Sequence, residues 1–212
     1  SVTTAVKNTL VGGNAGDAIT TGGNNTVLGY DALGANTIGN SNVAIGKDAM
    51  KTNVAADKNV AVGLGTLQAF TSATALDTYN TAVGYNAGTA VTTGTENTLI
   101  GGLAGDSITT GSDNVAIGFE ALGQETTGSL NTAIGHKSLA ILNVDGDGNN
   151  TAVGYRSGVA MTTGIQNTII GSLAGDALTT GTRNIAIGYA ALTVEDTGGR
   201  NIAIGRSALQ VL

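Results

Sequence analysis

The feature that most constrains this chain is a short motif, Asn-Thr-Ala-Ile-Gly at Asn131 to Gly135, whose near copies recur from end to end. The copies begin at Asn8, Asn25, Asn42, Asn59, Asn80, Asn97, Asn114, Asn131, Asn150, Asn167, Asn184 and Asn201. Nine of the eleven intervals between them are 17 residues long, whereas the interval after Asn59 is 21 and that after Asn131 is 19. A unit this short cannot bury a core by itself, so neighbouring units must stack.

Two adjacent places of the motif are apolar throughout. When places are counted from the Asn, place four is always β-branched or Leu, as in Val11, Leu28 and Ile134, and we expect it to face a core. Place three is also apolar and is most often Ala, as in Ala133. Successive residues of a strand point to opposite faces, so the two places lie on opposite sides of one short strand. Both faces of that strand are therefore predicted to be covered.

One covered face can line the inside of a coil, but the other forms an apolar stripe along the whole stack. Exposed apolar surface of that extent normally marks an interface, which favours self-association about an axis parallel to the stack. We therefore expect an all-β chain, a parallel β-solenoid of about twelve 17-residue coils that associates with copies of itself in cyclic symmetry. At about 4.8 Å per coil the rod would be roughly 58 Å long. The alternative is a wider coil in which several sheets share one interior.

The invariant Asn and Gly of the motif are assigned structural roles. Gly at place five adopts positive φ without steric cost, so a tight turn is predicted there. The Asn residues at place one can form a hydrogen-bonded amide ladder along the stack, as in cross-β structures. Alternatively, each Asn supports only its own turn through an Asx bond. A second short segment follows the Gly, and many copies then close with Thr-Thr-Gly, so each unit is predicted to contain strand, turn, second strand and turn.

Composition limits both the domain organisation and the partners. No linker or composition shift interrupts the repeat, so residues 1–212 are predicted to form a single repeat domain. Ser1 and Leu212 fall within partial repeats, and we expect the sequence to be an excerpt of a longer fibrous protein. A net charge of −6 with nine Lys plus Arg argues against a nucleic-acid partner. No apolar run approaches the roughly 20 residues of a membrane span, so membrane insertion of this segment is not expected.

The motif also resembles known repeat families. Asn114 to Leu122 (Asn-Val-Ala-Ile-Gly-Phe-Glu-Ala-Leu) and Asn184 to Leu192 (Asn-Ile-Ala-Ile-Gly-Tyr-Ala-Ala-Leu) resemble repeats of bacteriophage tail fibres and of the heads of trimeric autotransporter adhesins. Related arrays occur in fibres that end in an endosialidase-type intramolecular chaperone, a domain this sequence does not contain. The resemblance implies a left-handed β-roll or β-helix wound as a trimer, located in a virion tail fibre or at a cell surface.

Residues capable of catalysis or metal binding are few, and we expect no enzyme and no cofactor. His136 is the only His and stands at place six, where other copies carry an aromatic residue, so it is interpreted as a turn residue. Asp145, Asp147 and Asn149 alternate like the first half of a calcium loop, although Arg156 stands where the bidentate Glu would be. The simpler interpretation of these surplus residues is an Asp-Gly turn.

Two side-chain rows along the stack could contact a partner. Aromatic rings at place six could stack on sugars of a host glycan or receptor, or could pack on a neighbouring subunit; these are Tyr30, Tyr85, Phe119, Tyr155 and Tyr189. The Thr-Thr-Gly row could bind ice, but Ile38 and Ala55 interrupt the Thr rank that contains Thr21. We expect a structural rod that positions or contributes to attachment, with a self-assembling extracellular filament or sheath subunit as the main alternative and ice binding as a weaker one.

Overall fold

Short strands separated by tight turns make up the computed structural model, which describes residues 4–194 and 196–210. Ser1 and Leu212, on which the expectation of an excerpt rests, lie outside the described residues. The strands, numbered in chain order, are β1 (Thr9–Val11), β2 (Thr26–Leu28), β3 (Val43–Ile45), β4 (Ala56–Asp57), β5 (Val60–Val62), β6 (Leu76–Asp77), β7 (Thr81–Val83), β8 (Thr98–Ile100), β9 (Val115–Ile117), β10 (Thr132–Ile134), β11 (Thr151–Val153), β12 (Thr168–Ile170), β13 (Ile185–Ile187) and β14 (Ile202–Ile204).

Twelve of these strands pair in succession, all in parallel, to form one long sheet, and β4 pairs with β6 beside it. Pairing always joins equivalent places of the motif, so Ala133 faces Ala152 across the 19-residue interval and Ala61 faces Ala82 across the 21-residue interval. The surplus residues are therefore looped out and the register is kept. The prediction of an all-β parallel solenoid is confirmed, with about eleven turns and no helix in the described residues.

The two apolar places of the motif lie on opposite sides of the sheet, as the alternation of strand residues requires. Place three points into the coil, where Ala116, Ala133 and Ile169 are fully buried. Place four points outward together with place two, and the prediction that place four faces the core is wrong for the single chain. Val11 is 53% exposed and Ile204 is 64% exposed at the two ends of the sheet.

The segment after the turn Gly is not a second strand, and that prediction is wrong. Places seven and nine have positive φ in all twelve rungs, where a rung denotes one repeat unit; in the Asn131 rung they are Lys137 (φ 57°) and Leu139 (φ 48°). The left-handed region is unfavourable for residues other than Gly and incompatible with an extended strand. Two such residues separated by one ordinary residue curl the chain into the turn that closes each coil.

Where place nine is Gly, the apolar side chain at place twelve fills the space inside the coil. In the Asn114 rung place nine is the buried Leu122, and place twelve is the buried Glu125. In the Asn97 rung place nine is Gly105, and Ile108 at place twelve occupies the space. A Cβ at Gly105 would lie 2.8 Å from the Cδ1 atom of Ile108. Close packing without overlap therefore explains why a side chain larger than Gly does not fit at Gly105 beside Ile108.

The Asn column is hydrogen-bonded from rung to rung. The Asn114 Oδ1 atom accepts the backbone N–H of Asn131 at 3.0 Å, and its Nδ2 atom donates to the carbonyl of Gly128 at 2.8 Å. The amides of Asn59 and Asn131, which begin the two longer units, instead donate within their own turn, to Asp57 and Ser129. The hydrogen bond to the carbonyl 14 residues ahead is thus made in the 17-residue units and is absent from the two longer units.

Candidate functional site

The place-six residues form an exposed row just beyond the turn Gly. All five predicted contact residues project from the rod, with exposed fractions between 44% for Phe119 and 58% for Tyr85. They are not gathered into one patch, because residues of other types separate them. Gly102 stands between Tyr85 and Phe119, and Ser172 stands between Tyr155 and Tyr189.

The middle of this row is a stack of three rings. His136 lies between Phe119 and Tyr155, with centroid distances of 5.5 and 5.4 Å and interplanar angles of 23° and 22°. The guanidinium of Arg206 lies 5.7 Å from the centroid of Tyr189. Sugar stacking requires an open ring face, and both faces of His136 are occupied. Phe119 and Tyr155 therefore each have one ring face against His136, and the other members of the row are outside this stack.

Ser138, the nearest hydroxyl in sequence to the only His, serves the core. It is buried, its Oγ atom donates to the carbonyl of Ala152 at 3.1 Å, and it lies 2.9 Å from the Oγ atom of Ser157. His136 itself occupies the aromatic row at place six. Both residues thus have structural roles that the packing of the rungs explains.

The segment proposed as a weak calcium candidate forms an exposed loop. Asp145, Asp147 and Asn149 are all exposed, and the Thr127 hydroxyl contacts Asp145 at 3.3 Å. The backbone at Asp147 forms an isolated parallel β-bridge with the backbone at Ser129. Gly146 has φ 79°, as expected of an Asp-Gly turn. Within residues 4–194 and 196–210, no group of three or more His, Cys, Asp and Glu residues is placed to hold a metal ion.

The Thr-Thr-Gly row presents only one of its two Thr residues to solvent. Thr109 at place thirteen donates its hydroxyl to the carbonyl of Thr126 at 2.9 Å, whereas Thr110 at place fourteen is exposed. The exposed rank is broken by Ala55 and by Val144, which are both buried. Ice binding stays a prediction that this irregular rank does little to support.

The outer face of the main sheet is a regular apolar surface that extends along the described chain. Place two contributes Thr, Val or Ile and place four contributes Val, Leu or Ile in every rung, as in Val115 and Ile117. At mid-rod most members of both columns are half-buried, whereas Ile100 and Ile170 are exposed, and both columns become exposed at the ends. Beside them, place seventeen adds exposed polar and charged residues such as Glu96, Asp113 and Arg183. An apolar strip with a polar margin is typical of protein interfaces.

A groove of about 630 Å³ lies along the middle of the rod, lined by residues at places six, seven, ten and eleven, and we name it the central groove. Asp106 and Gly123 stand at place ten, and Glu120 and Lys137 stand at place seven. The Lys137 Nζ atom lies 3.1 Å from Glu120 Oε2. A Cβ at Gly123 would lie 3.6 Å from Asp106 Oδ1, so the missing side chain leaves the hollow beside this carboxylate.

The same arrangement occurs in a smaller N-terminal groove of about 300 Å³. Asp17 and Gly34 stand at place ten, Asp31 stands at place seven, and Lys51 Nζ lies 3.0 Å from Asp31 Oδ2. Hydrogen bonds from Asn14 and Lys51 lower the pKa of Asp31, so this carboxyl is ionised at neutral pH. In the central groove, burial raises the pKa of Asp106, and the charge of Glu120 adds to the effect.

Comparisons with protein-family models, with curated proteins and with solved structures find no match to this chain. A function for the chain therefore has to be argued from the geometry of the rod and from its repeat pattern.

The groove residues escape notice in the sequence because isolated carboxylates between apolar segments are typical turn formers. Their signal is positional: a carboxylate at place ten is followed one rung later by another at place seven, as in Asp106 and Glu120. Places seven and ten can be recognised as neighbours only once the left-handed residues at places seven and nine are known. If this segment were a strand, the side chains at places seven and ten would point to opposite faces and would not lie side by side.

Proposed function

We propose that the chain is a rod segment of a phage tail fibre or cell-surface adhesin, assembled as a homotrimer, that positions or contributes to attachment. Twelve stacked strands give a long, regular body. The resemblance of the Asn-x-Ala-Ile-Gly repeats to those families supports both the virion or surface location and the number of chains.

The observation that carries the proposal is the outward apolar face of the main sheet. Each rung places two side chains side by side on this face, and each of them is β-branched or Leu, as with Thr132 and Ile134. A continuous strip of this kind along a rod favours a partner with the same length and period, and a second copy of the chain has both. Packing the strips about a common axis buries apolar surface, and each Å² removed from water stabilises the assembly by about 25 cal/mol.

The test is the mass of the chain in solution by light scattering after size-exclusion chromatography. We expect about three times 20.8 kDa. Ile117→Lys together with Ile134→Lys places two charges on the strip and is expected to give a folded monomer. Thr110→Lys, on a different exposed row, is the matched control and should retain the native mass. A native chain that stays monomeric at high concentration would contradict the proposal.

A self-assembling filament or sheath subunit is the second candidate, because the sheet has two open edges. β1 and β14 each pair with one neighbour in the described residues, and an unpaired strand edge is a template for another chain. Electron microscopy of concentrated protein distinguishes the two candidates, since the filament predicts end-to-end growth and the trimer predicts rods of one length.

A further inference from the structure

We propose that the central and N-terminal grooves are two copies of one binding site for a neutral oligosaccharide, repeated along the same side of the rod. This inference rests on the proposed attachment role and specifies its partner. It places the contact in the grooves, and the central groove also includes His136 and Tyr155 of the place-six row.

The first support is the repetition of the same four elements. Each groove has an Asp at place ten, a carboxylate at place seven of the next rung, a Gly at place ten of that rung, and a Lys from the third rung paired to the second carboxylate. The Lys contributes from place seven in one groove and from place ten in the other. Lys137 and Lys51 nevertheless reach equivalent carboxylates at 3.1 and 3.0 Å.

The second support is the chemistry of the central groove. Its lining includes the apolar residues Ala140, Ile141 and Val159, and it also carries the carboxylate of Asp106 and the amide of Gln124. Sugar rings combine apolar C–H faces with hydroxyl edges. Carboxylates and amides accept hydrogen bonds from hydroxyls, and Lys donates to hydroxyl oxygens. A pocket with an apolar lining and a few placed polar groups fits such a ligand.

Charge selects a neutral ligand over an acidic one. The N-terminal groove contains two carboxylates, Asp17 and Asp31, against one ammonium, Lys51. In the central groove Lys137 and Arg156 balance Asp106 and Glu120. A ligand that uses both grooves therefore meets no excess of positive charge, which phosphate, sulfate or uronic acid groups would require.

The spacing of the grooves favours a repeating polymer. Asp17 and Asp106 occupy the same place five rungs apart, which corresponds to about 24 Å along the rod at 4.8 Å per rung. One long polysaccharide can then engage both grooves, and linked sites gain avidity through effective concentration. A third groove of this kind is not formed at the Asn167 rung. Its place-ten Asp176 is followed in the next rung by Ala190 at place seven, where the grooves have a carboxylate, and by Thr193 at place ten, where they have Gly.

The experiment is binding of the full chain to an array that carries neutral hexose oligosaccharides and, as comparison, uronic and sialic acid oligosaccharides. We expect signal from neutral members only. Gly34→Thr together with Gly123→Thr fills both hollows, and Thr89 and Thr193 show that place ten accepts Thr. This double variant should lose at least tenfold in apparent affinity, whereas the control Asp176→Asn should bind like the native chain.

The two single variants, Gly34→Thr and Gly123→Thr, show whether one groove or both grooves bind the ligand. Gly123→Thr alone should weaken binding of a long polysaccharide through loss of avidity, but less than the double variant does, while a trisaccharide hit should keep its affinity at roughly half the stoichiometry. Absence of any signal, signal from acidic members alone, or binding retained by the double variant would overturn the proposal. Light-scattering mass on the same samples reports separately on the trimer, so failure of one proposal is not failure of the other.

Discussion

At the scale of single residues, the Asn at place one links each rung to the next. In the 17-residue rungs its side chain accepts the backbone N–H of the next motif Asn and donates to a backbone carbonyl 14 residues ahead, as Asn97 does with Asn114 and Gly111. Buried backbone groups need a hydrogen-bond partner, and here the Asn amide supplies it. This explains why Gln or Ser would not substitute at place one, since neither reaches both groups in one fixed geometry.

Replacing Asn114 by Ala is expected to lower the free energy of unfolding by about 2 to 5 kcal/mol, because two buried backbone groups lose their partners. Urea titration followed by circular dichroism measures the change. Gln124→Ala is the control, since it removes an exposed amide. Equal effects of the two substitutions would show that the Asn column contributes little to stability.

The turn Gly at place five is required by both conformation and space. Gly101 has φ 133°, and a Cβ there would lie 2.6 Å from the carbonyl oxygen of Gly118. Gly101→Ala should therefore lower the free energy of unfolding by roughly 2 to 5 kcal/mol. Gly102→Ala is the neighbouring control, because a Cβ at Gly102 meets only the ring of Phe119 at 3.5 Å. Comparable stability of the two variants would contradict the close stacking of Gly on Gly.

Glu125 is a buried carboxyl whose titration should be visible in the pH dependence of stability. Burial raises its pKa above the ordinary value of 4.5, although the N–H groups of Thr126, Gly128 and Val144 donate to it. A raised folded-state pKa means that the stabilisation is complete below the unfolded pKa and is lost as pH rises through the folded pKa. The difference in unfolding free energy between the native chain and Glu125→Gln should fall from pH 4 to pH 7. A difference independent of pH would refute this.

At the scale of the element, much of the rung could be predicted from sequence and part could not. The strand at places two to four, the parallel register and the turn at Gly135 follow from residue types that recur at fixed spacing. The second segment could not be predicted, because Lys137 and Leu139 have no intrinsic preference for positive φ. Their conformation is imposed by closing the coil. The groove depends on that conformation and could not be predicted without it.

The 19-residue unit offers a direct test of the period. Deleting Asp145 and Asp147 leaves Asn143-Val144-Gly146-Gly148-Asn149, which matches Thr20-Thr21-Gly22-Gly23-Asn24 place by place. Gly146 then stands 14 residues after Asn131 and can offer its carbonyl to the Asn131 amide. We expect a folded protein with a thermal midpoint no lower than that of the native chain.

The same deletion bears on the calcium candidate, since it removes both acidic residues of the loop. If the loop binds calcium, added calcium raises the thermal midpoint of the native chain but not of the deletion variant, by mass action on the folded state. Chelator that leaves the native midpoint unchanged would leave only the Asp-Gly turn as an explanation. A deletion variant that fails to fold would show that the insertion, and not the period, is needed at this rung.

At the scale of the whole molecule, the rod is a one-dimensional array in which each rung contacts only its neighbours. Stability in such an array is roughly a sum of rung and interface contributions, and the ends have one neighbour fewer. Hydrogen exchange followed by mass spectrometry should therefore show the slowest amides in the strands from Thr98–Ile100 to Thr151–Val153 and faster exchange towards both ends. Uniform protection along the chain would indicate a single cooperative unit instead.

The direction of the rung-to-rung hydrogen bonds also determines how the rod responds to tension. They run along the axis, so a pull between the two ends of one chain loads them one rung at a time rather than all together. Each rung that peels away releases roughly 55 Å of chain. A single solenoid chain would therefore unfold rung by rung from its ends under modest force. Chains packed side by side along their sheet faces would share that force across their interface. A rod that has to bear tension would therefore resist unwinding better as several associated chains than as one.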